Sequence, residues 1–412
     1  MQEPAVGAIV AAVTAEGAIL RFVGGCVRNG LLGRPVSDID AATDAPPEQV
    51  VTLLERDGIR AIPTGIEHGT VTALKDGRKI EITTLRVDVE TDGRRARVAF
   101  TDDWAEDAMR RDFTMNALFL DADGTLYDPV GGLPDLESGL VRFVGDPEQR
   151  IREDVLRILR FFRFHVQYGR IGPEPEGLAA CARLAGLLPS LAGERVREEM
   201  LKLLAARDPA PTVYLMREQG VLTPILPEAR NLPCLSALAT LTGSQEEADP
   251  DPLRRLAALI SAGEDAGEGS GEAVAWRLRL SNAERARLLA MVTPAIDIDP
   301  AADAPARRRA LYRVGADIFR DLVLLDWAQR RADQTNAVPD WVEGGYRVLL
   351  ATAEGWTRPV LPVGGVDLLE LGIPAGPKIG TLLKRLEDWW INQDFAPDRE
   401  ACLAQIQGWR DA

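Results

Sequence analysis

Up to about residue 145 the apolar residues come in short runs and two-residue alternations. Beyond that point they recur mostly at helical spacing. Residues 19–23 read as a buried strand, Gly24-Gly25 as a tight turn and 26–32 as a short helix, which Gly33-Arg34-Pro35 ends. A second strand is predicted over 36–42. Pro46-Pro47 opens a helix over 46–57 with Val50, Val51 and Leu54 facing inward. Residues 63–70 read as a loop and 71–74 as a strand. Asp76-Gly77 then turns the chain back into a pairing strand over 79–85. Residues 86–103, rich in Arg, Asp and Gly, read as a mobile loop centred on Asp92-Gly93. One continuous helix is predicted over 148–168, with Val155, Ile158, Leu159, Phe162 and Val166 as its buried stripe. Alternating charges over 194–204 suggest a helix held by internal ion pairs. The remainder is mostly helical, interrupted by Gly-, Ser- and acid-rich loops at 242–252 and 263–272.

A chain of 412 residues has room for two to four domains and a large core. Its 46% hydrophobic and 27% charged residues are those of a soluble globular protein. The cysteines (Cys26, Cys181, Cys234, Cys402) are scattered and form no CxxC pair. That argues against a zinc site or disulfide framework and fits a reducing cytoplasm. The first residues lack a basic segment, and Glu3 and Glu16 bracket a short apolar run, so neither a signal peptide nor a membrane span is expected. A net charge of −15 counts against a nucleic-acid binder, unless a local basic stripe offsets the total.

Chemistry concentrates at residues 22–40. The glycine pair lets backbone approach a ligand without Cβ interference, and the helix start behind it suits a phosphate. Gly25 would line that approach, and Arg28, one turn in, adds a charged donor to the same anion. On the second strand, Asp38 and Asp40 alternate to one face and Ile39 to the other. Two carboxylates about 7 Å apart along a strand can grip Mg²⁺ together with phosphate oxygens. A phosphate turn facing such a pair points to metal-assisted phosphoryl or nucleotidyl transfer. The plain alternative is a solvated strand edge beside an ordinary turn. Glu81, alternating away from Ile80 and Ile82, either joins the pair as a third acidic group or is a polar-face residue.

Gly24-Gly25-x-Val27-Arg28, Leu32-Gly33 and Asp38-Ile39-Asp40 together resemble the first motif of class II tRNA nucleotidyltransferases, within the polymerase-β-like superfamily. That group includes the CCA-adding enzymes and the bacterial poly(A) polymerases, whose members usually carry Asp at the position of Asn29. Arg110-Arg111-Asp112-Phe113-Thr114-Met115-Asn116-Ala117 matches the second motif. An arginine pair there can hold a triphosphate, while Asp112 and Asn116 order the surrounding loop. Asp128-Pro129-Val130-Gly131-Gly132-Leu133 with Asp135-Leu136 is similar to a further motif and reads as turns closing the domain. The run Glu194–Leu204 resembles the last one and reads as scaffolding.

Asp154 and Arg157 are neighbours at i,i+3, and Arg160 and Arg163 continue the row. The plain reading is an ion pair with solvated arginines. Beside a nucleotide site the pair gains a sharper meaning. Cytosine and adenine both present an amino donor next to a ring-nitrogen acceptor, which Asp and Arg match. Uracil and guanine would put a carbonyl against the carboxylate, a buried mismatch costing a few kcal/mol. The pattern matches the family's Glu-Asp-x-x-Arg motif, and the resemblance implies that Arg160 and Arg163 also contact the nucleotide.

The resemblance implies an α+β fold, with a polymerase-β-like head of mixed sheet and helices at 1–145. A helical neck at 146–207 would recognise the base, and a helical body and tail at 208–412 would bind tRNA. It implies addition of C, C and A to a tRNA 3′ end from CTP and ATP, with two Mg²⁺ on Asp38 and Asp40, and no membrane or protein partner. A poly(A) polymerase, or an enzyme adding only CC or only A, is the nearest alternative. The segment 86–103 and the absence of a long basic C-terminal extension favour full CCA addition. The lack of Gly-x-Gly-x-x-Gly and the Asp-x-Asp on the next strand argue against a dinucleotide-binding oxidoreductase. Both histidines precede residue 170, so the second half cannot build a His-Asp phosphohydrolase site. It does carry basic clusters at Arg277/Arg279, Arg285/Arg287, Arg307–Arg309 and Arg330-Arg331. Lys378 opens an amphipathic helix ending at Trp389-Trp390, which is either an RNA phosphate contact or a simple turn before a packed helix.

Overall fold

A computed structural model of the chain describes residues 3–92, 95–243, 250–260, 269–333 and 338–411. Two compact units divide at Pro227 and Glu228. In the first, helix α1 (Pro4–Thr14) leads into strand β1 (Leu20–Val23), α2 (Gly25–Leu31), β2 (Ile39–Thr43) and α3 (Pro47–Arg56). Strands β3 (Arg60–Gly65), β4 (Thr70–Lys75) and β5 (Arg78–Thr84) follow, and β8 (Phe119–Leu120) and β9 (Leu126–Tyr127) complete a seven-stranded mixed sheet. Its order is β3-β4-β5-β2-β1-β8-β9, with β2 and β5 parallel and the other neighbours antiparallel. The β4–β5 hairpin turns at Asp76 and Gly77, both at positive φ as a tight two-residue turn requires.

Several elements depart from the sequence reading. Residues 63–65 belong to β3: Gly65 pairs with Thr70 of β4 on the sheet edge, and Pro63 and Thr64 lie in the register shift between Ile62 and Gly65. In α3 it is Leu53, not Val51, that is fully buried alongside Val50 and Leu54. The segment read as a mobile loop is a two-stranded hairpin, β6 (Arg86–Asp92) with β7 (Arg95–Phe100). The centre of its predicted turn, Gly93, lies outside the described residues.

Helix α4 (Trp104–Met109) packs Trp104 and Ala108 with Val23, Ala42 and Phe119 of the sheet, and α5 (Gly132–Ser138) packs on the Thr114–Asn116 turn. Asp128 accepts the Gly132 and Leu133 N–H groups, and Asp135 accepts from Thr114 and Arg142. The predicted continuous helix is two, α6 (Pro147–Glu153) and α7 (Arg157–Tyr168), with extended backbone at Asp154. Its buried face is Ile158, Leu159, Phe161, Phe162 and Phe164; Val155 and Val166 are half-exposed. Phe113, Phe143, Phe161 and Phe164 pack ring to ring, with centroids 5.0–6.4 Å apart, and join the second motif to α7. Helices α8 (Pro175–Leu184), α9 (Gly193–Leu204) and α10 (Ala210–Glu218) complete the unit, and α9 packs along α7.

The second unit is helical among the described residues: α11 (Leu232–Gly243), α12 (Pro252–Ile260), α13 (Ser270–Arg277), α14 (Asn282–Val292) and α15 (Ala304–Val314). It continues through α16 (Ala316–Asp333), α17 (Asp340–Glu354), α18 (Gly365–Glu370), α19 (Pro377–Asn392) and α20 (Arg399–Asp411). Helix α16 is the hub, packing on α11, α14, α15 and α17. The loops predicted at 242–252 and 263–272 fall largely outside the described residues. No described helix is long and apolar enough to cross a membrane.

Candidate active site

Strand β1 delivers the chain into Gly24, which sits at φ 71°, ψ −124°, a conformation that L side chains rarely adopt. A Cβ at Gly24 would lie 3.7 Å from Arg111 Nη1, so the turn and this guanidinium form one surface. The Gly24 N–H donates to the Leu118 carbonyl at 3.3 Å and is not available to a ligand. Helix α2, behind the turn, has only seven residues.

The carboxylates sit beside this surface. Strand β2 begins at Ile39, so Asp40 is on the strand, while Asp38 lies exposed just ahead of it. The predicted strand over 36–42 thus starts three residues late, after Pro35 and a stretch without regular structure. Burial, the Glu81 carboxylate and Asp38 all push the Asp40 acid up, against the pull of Arg111 and Lys79. Glu81 is the register partner of Asp40 on β5, but its carboxylate is held by Lys79 at 2.5 Å. No cluster of three His, Cys, Asp or Glu residues suited to a metal is found among the described residues. A carboxylate pair with crowded negative charge is the donor set of a cation shared with a phosphate-bearing ligand.

Arg110 and Arg111 are not free. Asp107 on α4, with a side chain only 1% exposed, accepts from Arg110 Nε at 2.7 Å and from Arg111 Nη2 and Nε at 2.8 and 3.2 Å. Burial alone would raise the Asp107 acid; Arg111 and Arg110 outweigh it and hold it below the usual carboxylate range. Asp107 is not among the residues predicted from sequence; its spacing to the two arginines, i,i+3 and i,i+4, is the signal that marks it. Asp112 is likewise kept ionised against burial, by Arg160, Asn116 and the Phe113 N–H.

Arg28 is buried. Its Nη1 donates to Asn116 and its Nη2 to the Tyr168 hydroxyl, while Nε and Nη2 reach Asn29 Oδ1 at 3.2 and 3.1 Å. Gly25 lies against it, a Cβ there falling 3.7 Å from Arg28 Nη2.

The structure does not pair Asp154 with Arg157. Asp154 ends α6, and its Oδ1 accepts the Leu156 N–H at 3.1 Å, which opens the break before α7. Its Oδ2 accepts from Arg195 of α9 at 2.8 Å. Arg157 is held by Glu153 at 2.8 Å and by the carbonyls of Arg150 and Arg110 at 2.9 and 3.1 Å. Arg160 donates to Asp112, and Arg163 lies 2.5 Å from the buried Glu199 of α9, a charge contact rather than an aligned hydrogen bond. Thus Arg195 ties α9 to Asp154 at the break before α7 and Glu199 ties it to α7 itself, while the Lys202–Glu198 pair is internal to α9 as expected.

In the second unit most of the predicted basic clusters are neutralised. Arg277 pairs with Glu228, Arg285 with Glu272, Arg287 with Asp251 and Asp321, Arg308 with Asp394, Arg330 with Asp326 and Arg331 with Glu343. Lys378 is exposed in the first turn of α19.

Comparison with known proteins gives a consistent picture. Residues 20–142 match the poly A polymerase head domain, and 172–232 match the probable RNA and SrmB-binding site of polymerase A. The chain is similar to the mouse (Mus musculus) mitochondrial CCA tRNA nucleotidyltransferase 1, 36% identical over 94% of this chain and 86% of the relative. It is 33% identical to the Limosilactobacillus fermentum CCA-adding enzyme, over 93% of this chain and 91% of that protein. The crystal structure of the Bacillus stearothermophilus CCA-adding enzyme in complex with CTP superposes with a TM-score of 0.79 at 30% identity, covering 100% of this chain and 98% of that one.

Proposed function

This chain belongs to the family of CCA-adding enzymes and bacterial poly(A) polymerases, and from that premise we propose how its residues add C, C and A to a tRNA 3′ end from CTP and ATP. It is a nucleotidyltransferase of a family that needs a divalent metal. The observation that carries the reading is the single surface made by Gly24, Arg111 and the burdened carboxylate of Asp40.

We assign Asp38 and Asp40 as the ligands of Mg²⁺, the hard cation that suits two carboxylates completed by phosphate oxygens. When bound, the metal supplies Lewis acidity to the attacking 3′-hydroxyl and to the triphosphate. Arg111 meets the triphosphate in a fixed pose, because Asp107 engages two of its nitrogens and leaves Nη1 toward Gly24. A carboxylate has about four acceptor sites, so Asp154 keeps a lone pair on each oxygen for the amino group of C or A. Arg195 and the Leu156 N–H hold that carboxylate still while it reads. Arg157, clamped by Glu153 and two carbonyls, presents its remaining donors to the ring nitrogen or carbonyl. Arg160 and Arg163 complete the wall of the nucleotide site. Lys378 is assigned to an RNA phosphate. Glu81 stays outside the metal shell while Lys79 holds it. We place the protein in the cytoplasm on its four buried, unpaired thiols.

The test is incubation with tRNA lacking its 3′ end, CTP, ATP and Mg²⁺, followed by sequencing of the products. Termination after C, C and A is expected. A lone A, a CC end or a long A tract assigns the chain to the corresponding branch of the family, and absence of metal-dependent transfer refutes the reading.

A further inference from the structure

Helix α7 ends at Tyr168, and the carbonyls of its last turn need partners from outside the helix. The His165 carbonyl takes the Gly169 N–H at 2.8 Å, and the Gln167 carbonyl takes Arg34 Nη1 at 3.0 Å. The Arg34 guanidinium also lies 4.7 Å from the centre of the Tyr168 ring. A cation is favoured there because it faces the negative end of the helix dipole. Gln167 in turn donates through Nε2 to the Lys202 carbonyl of α9 at 3.3 Å, so the seat of Arg34 is itself fixed.

Arg34 stands four residues ahead of Asp38. Residues 34–38 are exposed and have no regular structure. At their far end Ile39 enters the sheet opposite Ile80 of β5, and the same ladder fixes Asp40. Asp38 lies off that ladder. Its carboxylate accepts from the adjacent Ser37 hydroxyl at 3.0 Å, a bond inside the same segment that does not tie it to the rest of the fold. At the near end the Arg34 N–H donates to the Asn29 carbonyl at 2.9 Å, and Asn29 Nδ2 donates to the Pro35 carbonyl at 3.3 Å. These bonds secure the root of the segment on α2, and the Arg34 side chain secures it on α7.

We propose that Arg34 is a positioning residue for the carboxylate pair: by capping α7 it anchors the segment that carries Asp38 and holds that carboxylate beside Asp40. The two carboxylates then have separate supports, β5 for Asp40 and the end of α7 for Asp38. Loosening the second spreads Asp38 over more positions, and a cation that needs both groups is held less tightly. This rests on the proposed function for the assignment of Asp38 and Asp40 to the metal, and not for the anchor itself.

The test is Arg34→Ala, with Arg34→Lys as the conservative variant that keeps a cation over Tyr168 and a donor for the Gln167 carbonyl. Mn²⁺ binding to the nucleotide-free protein, read by electron paramagnetic resonance, weakens by roughly 10-fold in Arg34→Ala and returns to within about 3-fold of wild type in Arg34→Lys. The Mg²⁺ concentration for half-maximal incorporation rises in step. The kcat at saturating Mg²⁺ and the KM for CTP stay within about 2-fold. A nitroxide on Val36→Cys reports the segment directly, since Val36 is exposed and the four native thiols are buried. Its mobility rises in Arg34→Ala and not in Arg34→Lys. Wild-type Mn²⁺ affinity in Arg34→Ala overturns the proposal, whether or not the Tm falls, and leaves Arg34 as a helix cap. So does a raised KM for CTP at an unchanged Mg²⁺ requirement, which would make Arg34 a nucleotide contact. If Asp38→Asn binds Mn²⁺ as wild type does, the metal assignment fails, while the mobility of the label still decides the anchor.

Discussion

Asp107→Asn removes one charge from a group that touches no substrate, and it should disable the site. Both oxygens of Asp107 are engaged: Oδ1 by Arg110 at 2.7 Å and the Arg86 N–H at 3.4 Å, Oδ2 by Arg111 at 2.8 and 3.2 Å. The partners are themselves mostly buried, with 18% and 17% of their side chains exposed, so solvent screens the contact little. Removing one partner of a buried pair costs about 3–5 kcal/mol, and the amide oxygen recovers about 1 kcal/mol by accepting from one arginine. The remainder, about 2–4 kcal/mol, divides between unfolding of the first unit and orientation of Arg111, at roughly 10-fold in affinity per 1.4 kcal/mol. The assay pairs urea unfolding followed by circular dichroism with CTP binding by calorimetry. The two losses together should reach the stated range, with selectivity for C and A untouched. Asp107 is held below its usual range, so its contribution is full above the unfolded pKa and fades as pH falls through the lower folded value. The difference between variant and wild type should therefore shrink in acid. Wild-type unfolding and wild-type CTP affinity at pH 7 would refute the argument.

Asp154→Asn exchanges an acceptor-only group for an amide that can donate to the carbonyl of U or G, and preference for C and A should fall by about 1–3 kcal/mol per lost contact, roughly 5- to 150-fold. Single-nucleotide incorporation with each triphosphate measures it; unchanged preference would mean that Asp154 only braces Arg195. Asp40→Asn should abolish incorporation and at the same time raise the Tm of the metal-free protein at pH 7, since burial, Glu81 and Asp38 make ionised Asp40 unfavourable in the folded state. The sign follows from its raised folded pKa: the gain is full above that value and vanishes below the unfolded pKa of about 3.9, where wild-type Asp40 is protonated in both states. A Tm difference that persists at pH 3 would place the cause elsewhere.

Local chemistry was legible in the linear order of residues wherever neighbours in sequence act together. The Gly24-Gly25 turn and the Asp76-Gly77 hairpin depend on backbone freedom and short-range geometry and stand where the sequence puts them, whereas β2 starts late and of the Asp-x-Asp pair only Asp40 is on the strand. The break between α6 and α7 was hidden, because apolar residues keep helical spacing straight through it and Asp154 disfavours a helix only mildly. What opens it is the Asp154 cap on Leu156, braced by Arg195 forty-one residues away. Residues 86–92 and 95–100 pair as strands although the segment's composition reads as loop, since Arg and Asp report polarity and not pairing.

By itself, then, the sequence determined which residue types are present and their order along the chain: the glycine turn, the Asp38 and Asp40 carboxylates, the arginine pair, and the Asp154 and Arg157 here proposed to read the base. Tertiary structure alone decided which charge each of them meets. Arg157 takes Glu153 instead of Asp154, Arg163 takes Glu199, and Arg28 turns to Tyr168 across one hundred and forty residues. The arginines of the second unit that look basic in sequence are mostly matched by acids brought from other segments of the chain. The reason is physical: a charge is visible in sequence, but its strength depends on burial and on a partner a few ångströms away, and packing supplies both.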